Sequence, residues 1–181
     1  MIADLPCFVD IDEKRYPIRN NADYRVILDC IKALNDERLS KLGRIECALK
    51  VFYGGIPQNA EKALEKMFDV IKCGMEENEN QNTQPLMDWE HDFNLIAPAI
   101  SRILGYDIRT PNKYTHWWTL IGAYMEIPSE SFFGTILSIR HKKTKGIKLE
   151  KWENEFFTTH YKLINIPSKL AKEDREYLFS D

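Results

Sequence analysis

From Asn21 to the neighbourhood of Pro167, apolar residues recur at intervals of three and four, and glycine or proline stands near most places where the rhythm lapses. Such spacing puts an apolar stripe on each helix, and a chain made of such stripes must fold by packing helix on helix. Tyr24, Ile27, Leu28, Ile31 and Leu34 form the first stripe, with Asn20 or Asn21 as the expected cap. Ser40 precedes the second, which carries Leu42, Ile45, Leu49 and Phe52 and is stopped by Gly54-Gly55. Pro57 is placed to open a third helix, which should bury Leu64, Met67, Phe68 and Ile71 and stop at Gly74. Asp88 reads as the cap of a fourth, with Phe93, Ile96, Ile100, Ile103 and Leu104 on one side and Gly105 as its left-handed stop. Pro98 falls inside that pattern, where it costs about 3 kcal/mol unless packing compensates, so a kink or interruption is expected.

Thr110-Pro111 reads as the cap and first turn of a helix through "YTHWWTLIGAYMEI", ended by Pro128. Ser129 is the expected cap of the next, with Phe133, Ile136 and Leu137. A last long helix carries Leu149, Trp152, Phe156 and Leu163, widened by Phe157 and Ile164, until Pro167-Ser168 breaks it. Residues 168–181 read as a charged terminal helix or tail. Two stretches depart from the helical period. "CFVDIDEKRYPI", residues 7–18, alternates around a polar "DEK" and predicts a β-hairpin with Pro17 at an edge. "EENENQNTQP", residues 76–85, is polar and aperiodic, as a loop or linker would be. The expected fold is mainly α: six or seven helices in a single domain over residues 1–181, with a short N-terminal β-hairpin.

Composition narrows the function classes. With 181 residues, 44% of them hydrophobic, the chain can build a core, and a net charge of −3 argues against a general nucleic-acid binder. The longest apolar run, Leu95 to Ile100, is far too short to cross a membrane, and the N-terminus lacks a basic-then-apolar export pattern. A cytoplasmic location is therefore expected. Cys7, Cys30, Cys47 and Cys73 form no CxxC pair and read as buried, reduced thiols in that compartment, since no spacing supports the alternative of a structural zinc site.

Two histidine contexts invite a chemical reading. "DWEHD" gathers Asp88, Glu90, His91 and Asp92, but carboxylates in a first turn serve the helix dipole and cap without any metal. His116 has no nucleophile or orienting acid at a diagnostic spacing, and the chain holds no GxSxG, phosphate-binding glycine loop or HExxH. No enzyme activity, cofactor or metal is expected. Charge offers better evidence for a partner. From Arg140 to Lys151 six cations face Glu150 alone, whereas Glu76 to Asp92 holds six carboxylates and no Lys or Arg. A solvated surface explains this segregation. The alternatives are a protein-binding surface at Arg140, Lys142, Lys143, Lys145 and Lys148, or attraction between acidic and basic segments of neighbouring copies. Nucleic acid is the weakest reading, because the run lacks interleaved aromatics.

On a helical projection Tyr114, Trp117, Ile121 and Tyr124 form one stripe and Trp118, Ile121 and Met125 a second. A helix apolar over so much of its circumference is buried from two sides. Both tryptophans are thus expected in the core, facing different layers, with His116 on the narrow polar face. Trp117, Trp118, Ile121, Phe133 and Trp152 are the expected core signature.

The order "MDWEHDFNLIAPAI", "LGYDIRT", "HWWTLIGAYMEIP" and "FFGTILSIRHKK" resembles the bacteriophage gene-product-fifteen family of tailed phages and prophages of Gram-positive bacteria. "NNADYRVILDCIKALNDERLS" and "ALKVFYGG" resemble its first half, so the likeness spans roughly residues 7 to 166. The resemblance implies a non-enzymatic, chaperone-like tail-assembly factor. It would bind the tape-measure protein in the host cytoplasm and be absent from the finished virion; tail-tube subunits and self-association are further partner candidates. It carries over no catalytic residues, and Pro98 departs from the helix-compatible residue the pattern leads one to expect. The rival readings are a phage regulator acting on host protein or nucleic acid, and an enzyme built around His91 and His116.

Overall fold

A tight reversal at Asp12, which takes a left-handed conformation (φ 53°), sets the first element. Strand β1 (Phe8–Ile11) pairs antiparallel with β2 (Lys14–Pro17), Val9 facing Tyr16 and Ile11 facing Lys14. Alternation turns Val9 and Ile11 inward and leaves Phe8 exposed. This computed structural model describes residues 4–75 and 86–166. The expected polar loop at 76–85, the break at Pro167-Ser168 and the 168–181 tail lie outside the described residues.

Asn20, Asn21 and Ala22 all take positive φ, so neither asparagine caps the first helix. Asp23 does so instead, accepting the Arg25 N–H at 3.0 Å at the start of α1 (Tyr24–Leu34). Ser40 and the left-handed Gly54 bound α2 (Lys41–Tyr53) as expected. Helix α3 (Ala60–Ile71) begins later than Pro57 predicts, because Asn59 accepts the Lys62 N–H, a capping role proline cannot fill. Asp88 and Gly105 bound α4 (Trp89–Leu104), which runs through Pro98 without interruption. Pro98 and Asn94, whose carbonyl loses its usual donor there, are both exposed, so water can replace the missing bond.

The tryptophan helix begins later than Thr110-Pro111 predicts. Residues up to His116 run beside α1 rather than coiling: Tyr24 N–H donates to Thr115 O, Thr115 N–H donates to Asp23 Oδ2, and Asp23 and His116 form an isolated β-bridge. Helix α5 therefore spans only Trp117–Met125. Ser131, not Ser129, caps α6 (Phe132–Thr144) by accepting the Gly134 N–H. The last long helix is divided at His160 into α7 (Lys151–Thr159) and α8 (Tyr161–Ile164), which brings the described α-helices to eight. None of them is long and apolar enough to cross a membrane.

The chain forms two compact units that interleave in sequence. Unit 1 comprises residues 1–79 and 108–125, holding the hairpin, α1 to α3 and α5. Its core includes Ile27, Leu49, Phe52, Met67, Trp117 and Leu120. Unit 2 comprises residues 80–107 and 126–181, holding α4 and α6 to α8. Ile136, Ile139 and Ile164 are buried together there, with Leu95, Leu149, Phe156, Phe157 and Leu163 packed around them.

Candidate protein-binding surfaces

In unit 1, helix α3 carries two apolar stripes. Ala63, Met67 and Val70 are buried, whereas Leu64, Phe68 and Ile71 are only half-buried. The second stripe joins Ile31 and Leu34 of α1 and Ile45 of α2 around a groove of about 540 Å³. Leu64, Phe68 and Ile71, expected in the core, are therefore groove walls. One stripe suffices for a single neighbouring layer, so the doubled stripe of α3 was the signal in the sequence for a second, open face. Asn35, Lys41 and Arg44 complete the lining, and among the described residues none of its members is acidic.

The tryptophan pair holds the end of the helix that bears this stripe. Trp117 Nε1 donates to Ile71 O and Trp118 Nε1 to Val70 O, both at 2.9 Å. The last four carbonyls of a helix have no partner within it, so two indoles bonded there act as a C-terminal cap. Trp117 is buried and Trp118 half-buried. The two rings do not serve different layers as expected; they converge on one helix terminus. The two acceptors are themselves neighbours in sequence, so adjacent indoles reach adjacent carbonyls of one helix end.

His116 is 1% exposed and precedes α5 rather than lying on a polar helix face. Its Nδ1 accepts the Trp118 N–H at 3.0 Å, so Nε2 carries the proton it shares with Pro6 O at 3.2 Å. The ring therefore works as a neutral cap. Burial holds its pKa below the ordinary value, with the Pro6 carbonyl pulling the other way.

In unit 2 the basic run separates into distinct environments. Arg140 is 6% exposed and pairs with the fully buried Asp92 through two parallel contacts, at 2.6 and 2.8 Å. Its remaining N–H groups donate to the carbonyls of Leu86, Leu163 and Ile164, so all five donors are used. Arg140 is thus not a surface charge available to a partner, because desolvation inside the fold has committed it to Asp92. Lys142 is tied to buried Glu153 at 2.6 Å, and holds that carboxyl below its ordinary pKa. Lys143 lies over the Phe157 ring at 3.7 Å, and burial lowers its pKa. Lys145 and Lys148 are exposed and form no salt bridge among the described residues. Trp152 is 53% exposed, with its indole on Glu150 Oε2, so it is not core. The inward face of α7 begins one residue later, at Glu153, and continues through Phe156 and Phe157.

The "DWEHD" cluster is absorbed by the same ion pair. Asp88 caps α4, Asp92 serves Arg140, and His91 Nε2 lies 3.3 Å from Leu163 O. Among the described residues no three His, Cys, Asp or Glu side chains gather as a metal site would require. Ile121 is half-buried and Phe133 buried.

No curated protein and no solved structure matches the chain. A protein family does: the one described as Bacteriophage Gp15 protein matches residues 1–166, which take in every described element, and the chain belongs to that family.

Proposed function

We propose that this phage protein is a non-enzymatic tail-assembly factor that binds the tape-measure protein during tail construction. The observation that carries this reading is the family match over residues 1–166. A tape-measure protein is long and aggregation-prone until tube subunits enclose it, so a companion must cover its apolar helix faces. The groove of α1, α2 and α3 supports the reading, since an amphipathic helix binds by laying apolar anchors into such a trough. The exposed Lys145 and Lys148 offer a second, electrostatic contact whose share falls as salt rises.

Co-expression with fragments of the tape-measure protein from the same genome, followed by copurification and a binding titration, tests the proposal. A complex at micromolar concentration is expected. Absence of association in both low and high salt would count against it, and salt-dependent DNA or RNA binding lost on reversing the exposed Lys145 and Lys148 would favour a regulatory role.

A further inference from the structure

We infer that the groove of unit 1 receives an amphipathic helix from a partner protein that presents a carboxylate at one end of its apolar stripe. The groove and its charge preference stand on the geometry; naming the tape-measure protein as donor of that helix rests on the function proposed above.

Three observations select this occupant. Leu64, Phe68 and Ile71 line the wall at i, i+4 and i+7, a rise of about 10 Å, which matches two turns of an opposing helix. The side chains are half-buried, so the groove is an open trough. A small-molecule site instead encloses about 70–90% of its ligand. The charge is one-sided. Lys41 and Arg44, one turn apart at the start of α2, are the only ionisable residues of the lining among the described residues. Neither is in a salt bridge among the described residues; Asp36, which feels the charge of Arg44, is held by Arg38 at 2.7 Å. The N-terminal end of α2 adds its partial positive charge at the same place.

Of the chain's own acidic stretches, Glu76 to Pro85 supplies carboxylates but no side chain for an apolar trough except a proline, whereas Glu173 to Asp181 carries apolar residues as well. With a partner helix as occupant, deleting residues 167–181 should leave the affinity for the helix unchanged, and a gain on deletion would make the tail the occupant.

Two labelled synthetic helices of about five turns, sharing one leucine stripe and ending in either glutamates or lysines, are titrated against the full chain by fluorescence anisotropy. The glutamate peptide should bind about tenfold more tightly. In the double variant K41E/R44E, with an unchanged circular dichroism spectrum and melting temperature, the preference should reverse. Amide shifts on binding should fall in α1, α2 and α3. Equal affinity for both peptides, or a preference unchanged in the variant, would overturn the inference. So would competition by one equivalent of a fatty acid, or a self-association of the chain that occupies the groove. A tape-measure fragment binding the double variant as tightly as wild type would sink the groove assignment alone. The glutamate peptide binding where no tape-measure fragment does would sink the proposed function alone.

Discussion

Arg140 and Asp92 show how much a single buried residue can decide. The pair lies in unit 2, and the guanidinium also reaches carbonyls on either side, at Leu86 and at Leu163 and Ile164. Removing one partner leaves an uncompensated buried charge, so Arg140→Met or Asp92→Asn should cost about 3–5 kcal/mol in urea unfolding. Arg140→Lys should not rescue, since an ammonium cannot span that fork. The neighbouring K145E/K148E double variant, at exposed positions, should change stability by no more than about 1 kcal/mol. His116 makes a different prediction. Its folded pKa lies below the ordinary 6.5, so the native state holds the neutral ring more strongly than the unfolded chain does. Its stabilising contribution is fully present above pH 6.5 and is lost as pH falls through the lowered value. Wild type should therefore exceed His116→Ala by about 2–4 kcal/mol at pH 8, loss of a buried ring included, with the gap narrowing in acid; a gap independent of pH would refute the capping role.

At the scale of elements, helix ends govern the architecture. Helix α3 ends on two indoles, α5 starts on an imidazole, and α6 starts on a serine turn folded tightly against its own first residues. The tightness is measurable at Gly134, where a Cβ would stand 2.4 Å from Ser129 O and 2.5 Å from Pro128 O. Glycine to alanine normally favours a helix by about 1 kcal/mol. Gly134→Ala should invert that sign and destabilise by about 1–3 kcal/mol, since the atoms in the way are backbone. Gly122→Ala in α5 meets nothing within 4 Å and should stabilise. Thermal melts of the two variants against wild type make the comparison.

For the molecule as a whole, the consequential feature is that unit 1 is discontinuous. Its first segment, residues 1–79, depends on the second, residues 108–125, at several points. Tyr24 Oη and Arg25 reach the carbonyl of Ile108, Arg25 also reaches those of Thr110 and Lys113, and the α5 tryptophans cap α3. A fragment ending at residue 79 should therefore lose cooperative unfolding and much of its helical signal, whereas a fragment ending at residue 125 restores both. A sharp cooperative melt of the shorter fragment would contradict this account. The same discontinuity anchors one wall of the proposed groove, because the end of α3 at Ile71 is held by a residue arriving from far along the chain.

What the sequence determined by itself was everything written in short-range chemistry. The helical period, the hairpin alternation, the stops at Gly54 and Gly105 and the caps at Ser40 and Asp88 are local, and each needs only neighbours within about four residues. Family membership was legible for the same reason, since it rests on the order of residues alone. Only the tertiary structure decided which polar groups would be desolvated and which apolar ones left open. Arg140 read as a surface cation until Asp92, 48 positions away, removed it from water. Leu64, Phe68 and Ile71 read as core because periodicity records that a stripe is apolar, not whether another helix arrives to cover it. The late start of α5 came from a bridge to Asp23, a contact that no local pattern encodes. "HWW" combined both kinds of information: its hydrophobicity was plain in the sequence, but its capping role required two helix ends to meet in space.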